Sequence, residues 1–221
     1  MLKKFKYYSG IFLINFFILY SLLYILEIGI NYKNDNLFKK TRLYYLNSLK
    51  EKNQNLKIYL NYGVYKLIDK KNSLLPLSGY NNSKILLCLD EKNNPIYYMS
   101  DKNGFNNKSY INNDFLLIGD SYVQGMCVDN KNNLSSQFKK FSFKTASLGV
   151  GGNGPLIELA TFKEFKDDYE YKNIIIFITP SNDFKDLKNE LKNETLLNYL
   201  YIEDFKQNLN LKKEQKKIIL D

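Results

Sequence analysis

Between Lys6 and Glu27 the chain runs for twenty residues without a charge, from Tyr7 to Leu26, and is rich in Ile, Leu, Phe and Tyr. Twenty residues at helical rise cover about 30 Å, the thickness of a bilayer's hydrocarbon layer. A secretory apolar region is shorter, and no small-x-small cleavage site follows this one. The segment therefore reads as one uncleaved membrane span rather than a removed signal peptide or a buried core helix. Tyr7, Tyr8 and Tyr24 fall near its ends, where amphipathic rings favour the interface, and Lys3, Lys4 and Lys6 favour a cytoplasmic N-terminus. The expectation is a single-pass protein of the cytoplasmic membrane, attached through residues 7–26, with the bulk of the chain periplasmic or extracellular. Three segments follow from this: a membrane anchor over 1–31, a polar stalk and irregular lead-in over 32–113, and an α/β domain over 114–221.

The 221 residues are 44% apolar and 25% charged, enough for a packed core. They include no histidine, which excludes His-ligated metal sites and any Ser-His or Cys-His pair completed within these residues. Two cysteines alone do not make a structural zinc site, and no metal or cofactor is expected. The net charge of +9 comes from lysines interleaved with Asp, Glu and Asn, and Arg42 is the only arginine. A nucleic-acid stripe would be denser and richer in Arg, so no nucleic-acid partner is expected. Cys88 and Cys127 form an even pair in what would be an oxidising compartment. A disulfide and two buried thiols are both open on the sequence.

Along the exported part, Phe38, Tyr45, Leu49 and Leu56 recur at roughly helical spacing, which predicts a helical stalk over 32–60. Short apolar runs such as 84–89 and 95–99, separated by Asn, Gly, Pro and Ser, suit strands and turns. From Asp114 the rhythm changes. Strands are expected at 115–118, 145–148 and 174–178, and helices at 133–141, 155–169, 184–200 and 203–220. Alternating strands and helices imply a parallel sheet with helices on both faces, whose ligands sit beyond the C-terminal strand ends. Ser121, the loop holding Gly149, Gly151, Gly152 and Gly154, and Asn182 all lie at such ends. Each has a plainer reading. Gly-Asp-Ser is a common turn, the glycine loop lacks the Lys and Ser/Thr of a phosphate loop, and Asn182 or Asp183 can simply cap a helix.

Taken in order, Ile118-Gly-Asp-Ser121, Leu148-Gly-Val-Gly-Gly152 and Ser181-Asn182-Asp183 resemble three sequence blocks of the SGNH (GDSL-like) hydrolase superfamily. Leu75-Pro-Leu-Ser-Gly79, Ser100-Asp-Lys-Asn-Gly-Phe-Asn-Asn107 and Gly151-Gly-Asn-Gly-Pro155 resemble extended motifs of a membrane-anchored bacterial branch. The resemblance spans residues 75–210. It implies a flavodoxin-like parallel three-layer α/β sandwich, with Ser121 as nucleophile. The N–H groups of Ser121 and Gly152 and the amide of Asn182 would form an oxyanion hole, with Asp120 and Asp183 in support. The implied activity is that of a serine esterase or acyltransferase acting on an ester-bearing small molecule or on O-acyl groups of an envelope glycan. One element departs from the family: its Asp-x-x-His block is missing, and three strands can be counted where five are usual. Read this way, the domain is incomplete, and a C-terminal partner segment would have to supply Asp and His. The alternative is a degenerate, non-catalytic envelope binding module.

Overall fold

A computed structural model describes residues 15–30, 47–53, 56–59, 74–90, 92, 94–108 and 111–220. The chain divides into two units, Met1–Lys52 and Asn53–Asp221. In the first, residues 15–30 (α1) and 47–52 (α2) are helical. Helix α1 exposes apolar side chains all round, among them Phe16, Leu19, Leu23 and Leu26, and such a helix needs surroundings as apolar as itself. Among the described residues no helix is long and apolar enough to cross a membrane. Residues 7–14 of the expected span lie outside the described residues, as do 32–46, 54–55 and 60 of the expected helical stalk, whose stretch Lys57–Ile58 is a strand rather than helix.

The second unit is mixed α/β with parallel strand pairing. Its first sheet has the order β1-β2-β3, with β1 (Lys57–Ile58) parallel and β3 (Pro95–Met99) antiparallel to β2 (Lys84–Leu89). Asp90 Oδ1 accepts from the N–H groups of Lys92 and Asn94 at 2.8 and 2.7 Å and closes the turn between β2 and β3. The second sheet is wholly parallel, in the order β5-β4-β6, with β4 (Asn113–Ile118) between β5 (Thr145–Ser147) and β6 (Tyr171–Ile176). Its helices are α3 (Ser121–Gln124), α4 (Leu134–Lys140), α5 (Pro155–Phe165), α6 (Asp183–Glu190), α7 (Glu194–Tyr201) and α8 (Lys213–Leu220).

Side chains alternate along a strand, so successive residues of β4 look to opposite faces. Phe115 packs edge-on against Phe138 of α4 and against Phe143, at 5.6 and 5.3 Å. Leu116 joins Ala146, Leu156, Ile157, Ala160, Phe165, Leu196 and Tyr199 in the main core. Strand β4 therefore has helices on both faces, which is why its apolar run is continuous rather than alternating.

Leu75, Leu77 and Phe105, from the expected lead-in, are buried in that same core. Asp101 explains how. Its Oδ1 accepts from the N–H groups of Asn103, Gly104 and Phe105 at 2.8–3.0 Å, fixing a tight turn. Asn107 then clamps the free edge of β5, accepting from Ser147 N at 2.6 Å and donating to Ser147 O at 3.0 Å, as a neighbouring strand would.

Two expected helices are shorter than the apolar pattern suggests. The stretch 184–200 breaks after Glu190, where Asn193 accepts from Leu196 N at 3.1 Å and starts α7 afresh. Residues 203–212 do not join α8. The buried Glu164 carboxylate accepts from Tyr199 Oη and from the N–H groups of Gln207, Asn208 and Leu209, which pins that segment in a non-helical path.

Candidate functional site

The register of the parallel sheet brings its strand ends level. Leu117 is opposite both Ser147 and Ile175, and Ile118 is opposite Ile176. Beyond that level the chain leaves β4 toward β5 on one side and later returns to β6 on the other. Connections that part in opposite directions leave a crevice at the strand ends. The loop after β4 supplies Asp120 and Ser121, the loop after β5 supplies residues 149–154, and the loop after β6 supplies Asn182 and Asp183.

These loops touch. Asn182 Nδ2 donates to Asp120 Oδ2 at 3.2 Å, across the gap between β4 and β6. Asn182 occupies the N-cap position of α6, but its side chain makes no capping bond, so a capping role does not account for where its amide points. Asp120 Oδ1 meanwhile accepts from Tyr122 N at 3.1 Å and caps α3, whose first residue is the half-buried Ser121. Asp183 turns its Oδ2 back to Thr179 N and closes the loop on the other side.

The glycine loop lies against the same turn. A Cβ built on Gly151 would stand 3.5 Å from Ser121 Cβ, 2.9 Å from Gln124 Oε1 and 3.1 Å from the Tyr59 hydroxyl. Gln124 Oε1 accepts from Gly151 N at 2.9 Å, and Tyr59 Oη donates to Gly151 O at 2.6 Å. Gly152 follows at φ +82°, a left-handed conformation that side chains rarely adopt. The structure thus gathers Ser121, Gly151, Gly152, Asn182 and Asp120 at one end of the sheet.

Cys88 lies in β2 and Cys127 in the turn that follows α3. They pair as a disulfide with Cα atoms 5.5 Å apart, a normal span for such a bridge.

Four buried carboxylates crowd this end: Asp120, Glu158, Asp183 and Glu190. Glu190, at the end of α6, accepts from Gly154 N and Leu156 N at 2.7 and 3.0 Å. It thereby supplies α5 with the cap that Gly154 cannot, and places a negative charge at the positive end of that helix. Glu158, one turn into α5 and 4% exposed, is in the opposite situation. Burial first, then the charges of Asp183, Asp120 and Glu190, push its carboxyl up to about 8, so it holds a proton at neutral pH. Burial also raises Asp183, against the pull of Thr179 N–H. Among the described residues, Glu158 Oε1, Asp183 Oδ1 and both polar atoms of Asn153 are buried without a hydrogen-bond partner. No group of three or more acidic or cysteine side chains among the described residues could hold a metal ion.

Sequence reasoning missed Gln124, Tyr59, Glu158 and Glu190. Gln124 was within reach, since it follows Ser121 by three residues on one helical turn. Glu158 carried a signal as the single acid in the apolar run Pro155-Leu-Ile-Glu-Leu-Ala160. Tyr59 and Glu190 arrive from distant segments and carry none. Compared with known protein families, curated proteins and solved structures, the chain has no match.

Proposed function

We propose that the protein is a membrane-anchored serine esterase or acyltransferase of the SGNH type, working outside the cytoplasm on an ester-bearing small molecule or glycan. The observation that carries this reading is the meeting of three strand-end loops, with Gly151 packed on Ser121 and the Asn182 amide bonded to Asp120, the residue before the serine. The strand order, second-first-third along the chain, is the one with which flavodoxin-like sheets begin.

In the proposed step Ser121 Oγ attacks the ester carbonyl carbon and gives up its proton to a base. The N–H groups of Ser121 and Gly152 and the Asn182 amide stabilise the oxyanion. The carbon–oxygen bond to the leaving alcohol then breaks, the alcohol takes the proton, and the acyl group passes from Ser121 to water or an acceptor hydroxyl. Removing one such donor typically costs ~10²–10³ in rate. Because the 221 residues hold no histidine, the base is assigned to a separate segment bearing Asp and His.

That same lack of histidine favours a second reading, a non-catalytic envelope module that binds its glycan or protein in this cleft. Incubation with p-nitrophenyl acetate, followed by peptide mass spectrometry, separates the two. The hydrolase reading expects acetyl on the peptide containing Ser121, more of it when imidazole is added as a base, and none in Ser121→Ala. No Ser121 adduct, with or without imidazole, would overturn it in favour of the binding module.

A further inference from the structure

A cavity of roughly 630 Å³ opens between α8 and the turn that precedes β2. Among the described residues five lysines line it, Lys57, Lys84, Lys213, Lys216 and Lys217, beside the carboxylate of Glu214. Here strand β1 and one face of α8 bring lysines to a single concave space, and Lys84 at the start of β2 lines it while its Nζ lies over the Tyr97 ring, 4.4 Å from the centroid. Its volume is that of a small-molecule pocket.

Lys216 gives the cavity its character. The side chain is 2% exposed. Its Nζ donates to Ser78 Oγ at 2.6 Å, Asn81 Oδ1 at 2.8 Å and the Asn103 carbonyl at 2.9 Å. All three donors of an ammonium are thus used, and all three acceptors are neutral. Hydrogen bonding is satisfied and charge is not, and a buried charge without a counter-charge is costly. Burial pushes the ammonium down to about 7; Asp101 pulls the other way, and Lys213 adds to the lowering. Asp101 cannot move closer, because it already accepts from Asn103, Gly104, Phe105, Asn107 and Tyr169. The cavity side is where a counter-charge can still enter.

We propose that this cavity is a binding site for a phosphate-bearing anion, either a soluble diphosphate or the headgroup of an anionic phospholipid. Among the described residues, five lysines beside one acid call for a multivalent anion rather than a monocarboxylate. Clustered ammonium groups act as point charges suited to phosphoryl oxygens, whereas planar carboxylate recognition uses the guanidinium fork, absent here. The cavity's lining includes none of Ser121, Gly151, Gly152 and Asn182.

The test is calorimetric titration of the full chain, in zwitterionic detergent at pH 7.5, with inorganic pyrophosphate in two buffers of different ionisation heat. The expected result is saturable one-to-one binding in which wild type takes up more protons than Lys216→Gln, because the anion restores the Lys216 ammonium while the proton that bound pyrophosphate itself releases is common to both. The exposed pair Lys84→Gln/Lys217→Gln should weaken binding at least tenfold, and equal proton balance in wild type and Lys216→Gln would show that Lys216 does not meet the anion. A control pair on α4, Lys139→Gln/Lys140→Gln, should change neither. A parallel arm compares capture by phosphatidylglycerol vesicles with capture by phosphatidylcholine vesicles. Silence with pyrophosphate, together with phosphatidylglycerol capture that needs Lys84 and Lys217, keeps the phosphoryl site and assigns its source to lipid. Neither response, or equal losses from the control pair, overturns the proposal.

Discussion

Glu158 is the residue whose environment departs furthest from what its position in an apolar helix suggests. Its carboxyl is buried beside three other carboxylates, and the folded protein keeps it protonated to about pH 8, against an ordinary value of 4.5. A group whose pKa is raised by folding stabilises the fold fully below its unfolded pKa, and that contribution is lost as pH rises through the folded one. Between roughly pH 4.5 and 8 the unfolded chain has released this proton while the folded chain still binds it, so stability falls with pH. Glu158→Gln keeps the size and removes the charge. The variant should match the wild type near pH 5 and melt at a higher temperature at pH 8–9. Thermal denaturation from pH 5 to 9 reads the difference, which also cancels the opposite trend from Lys216. Melting curves that stay parallel across that range would show that Glu158 is not the titrating group.

Among the strands, β6 is the most exposed. Among the described residues it pairs with β4 alone, leaving one ladder of backbone groups open. Ile174, Ile176 and Ile178 are 42%, 60% and 59% exposed along the strand and its extension. An apolar edge strand with free N–H and C=O groups is a template for a second chain. Ile176→Lys should therefore lower self-association of the 221-residue chain at unchanged helix and strand content. Sedimentation beside circular dichroism would detect this, and equal self-association in the variant would count against an edge contact. Strands like β4 and β5 were legible because short apolar runs ending in Gly, Asp and Ser leave little choice of structure. The ends of helices were less legible. The break at 191–193 needed the Asn193 cap, and the 203–212 segment needed the Glu164 carboxylate, a partner some forty residues away. The same distinction runs through the site. Ser121, Gly152 and Asn182 were visible because each follows a strand, whereas Tyr59 and Glu190 reach it only through tertiary packing.

At the scale of the molecule, the unit from Asn53 onward behaves as one body, although its composition changes near residue 113. Leu75, Leu77 and Phe105 from the earlier part share a core with Leu116, Leu156 and Tyr199 from the later part. The Cys88–Cys127 bridge ties β2 of the first sheet to the turn after α3, beside the Ser121 loop, and closes a loop of 39 residues. Restricting an unfolded chain by a loop of that size stabilises the folded state by about 2–4 kcal/mol. The double variant Cys88→Ser/Cys127→Ser, or wild type under strong reductant, should lose that amount in denaturant unfolding monitored by tyrosine fluorescence. Because the two parts share a core, the loss should appear as one transition at a lower midpoint, with a steeper slope because the unbridged unfolded chain exposes more surface. A new early transition would mean instead that the first sheet unfolds by itself and that the bridge was what joined it to the rest. An unchanged midpoint would mean that packing through Leu75, Leu77 and Phe105 holds the two parts together without it.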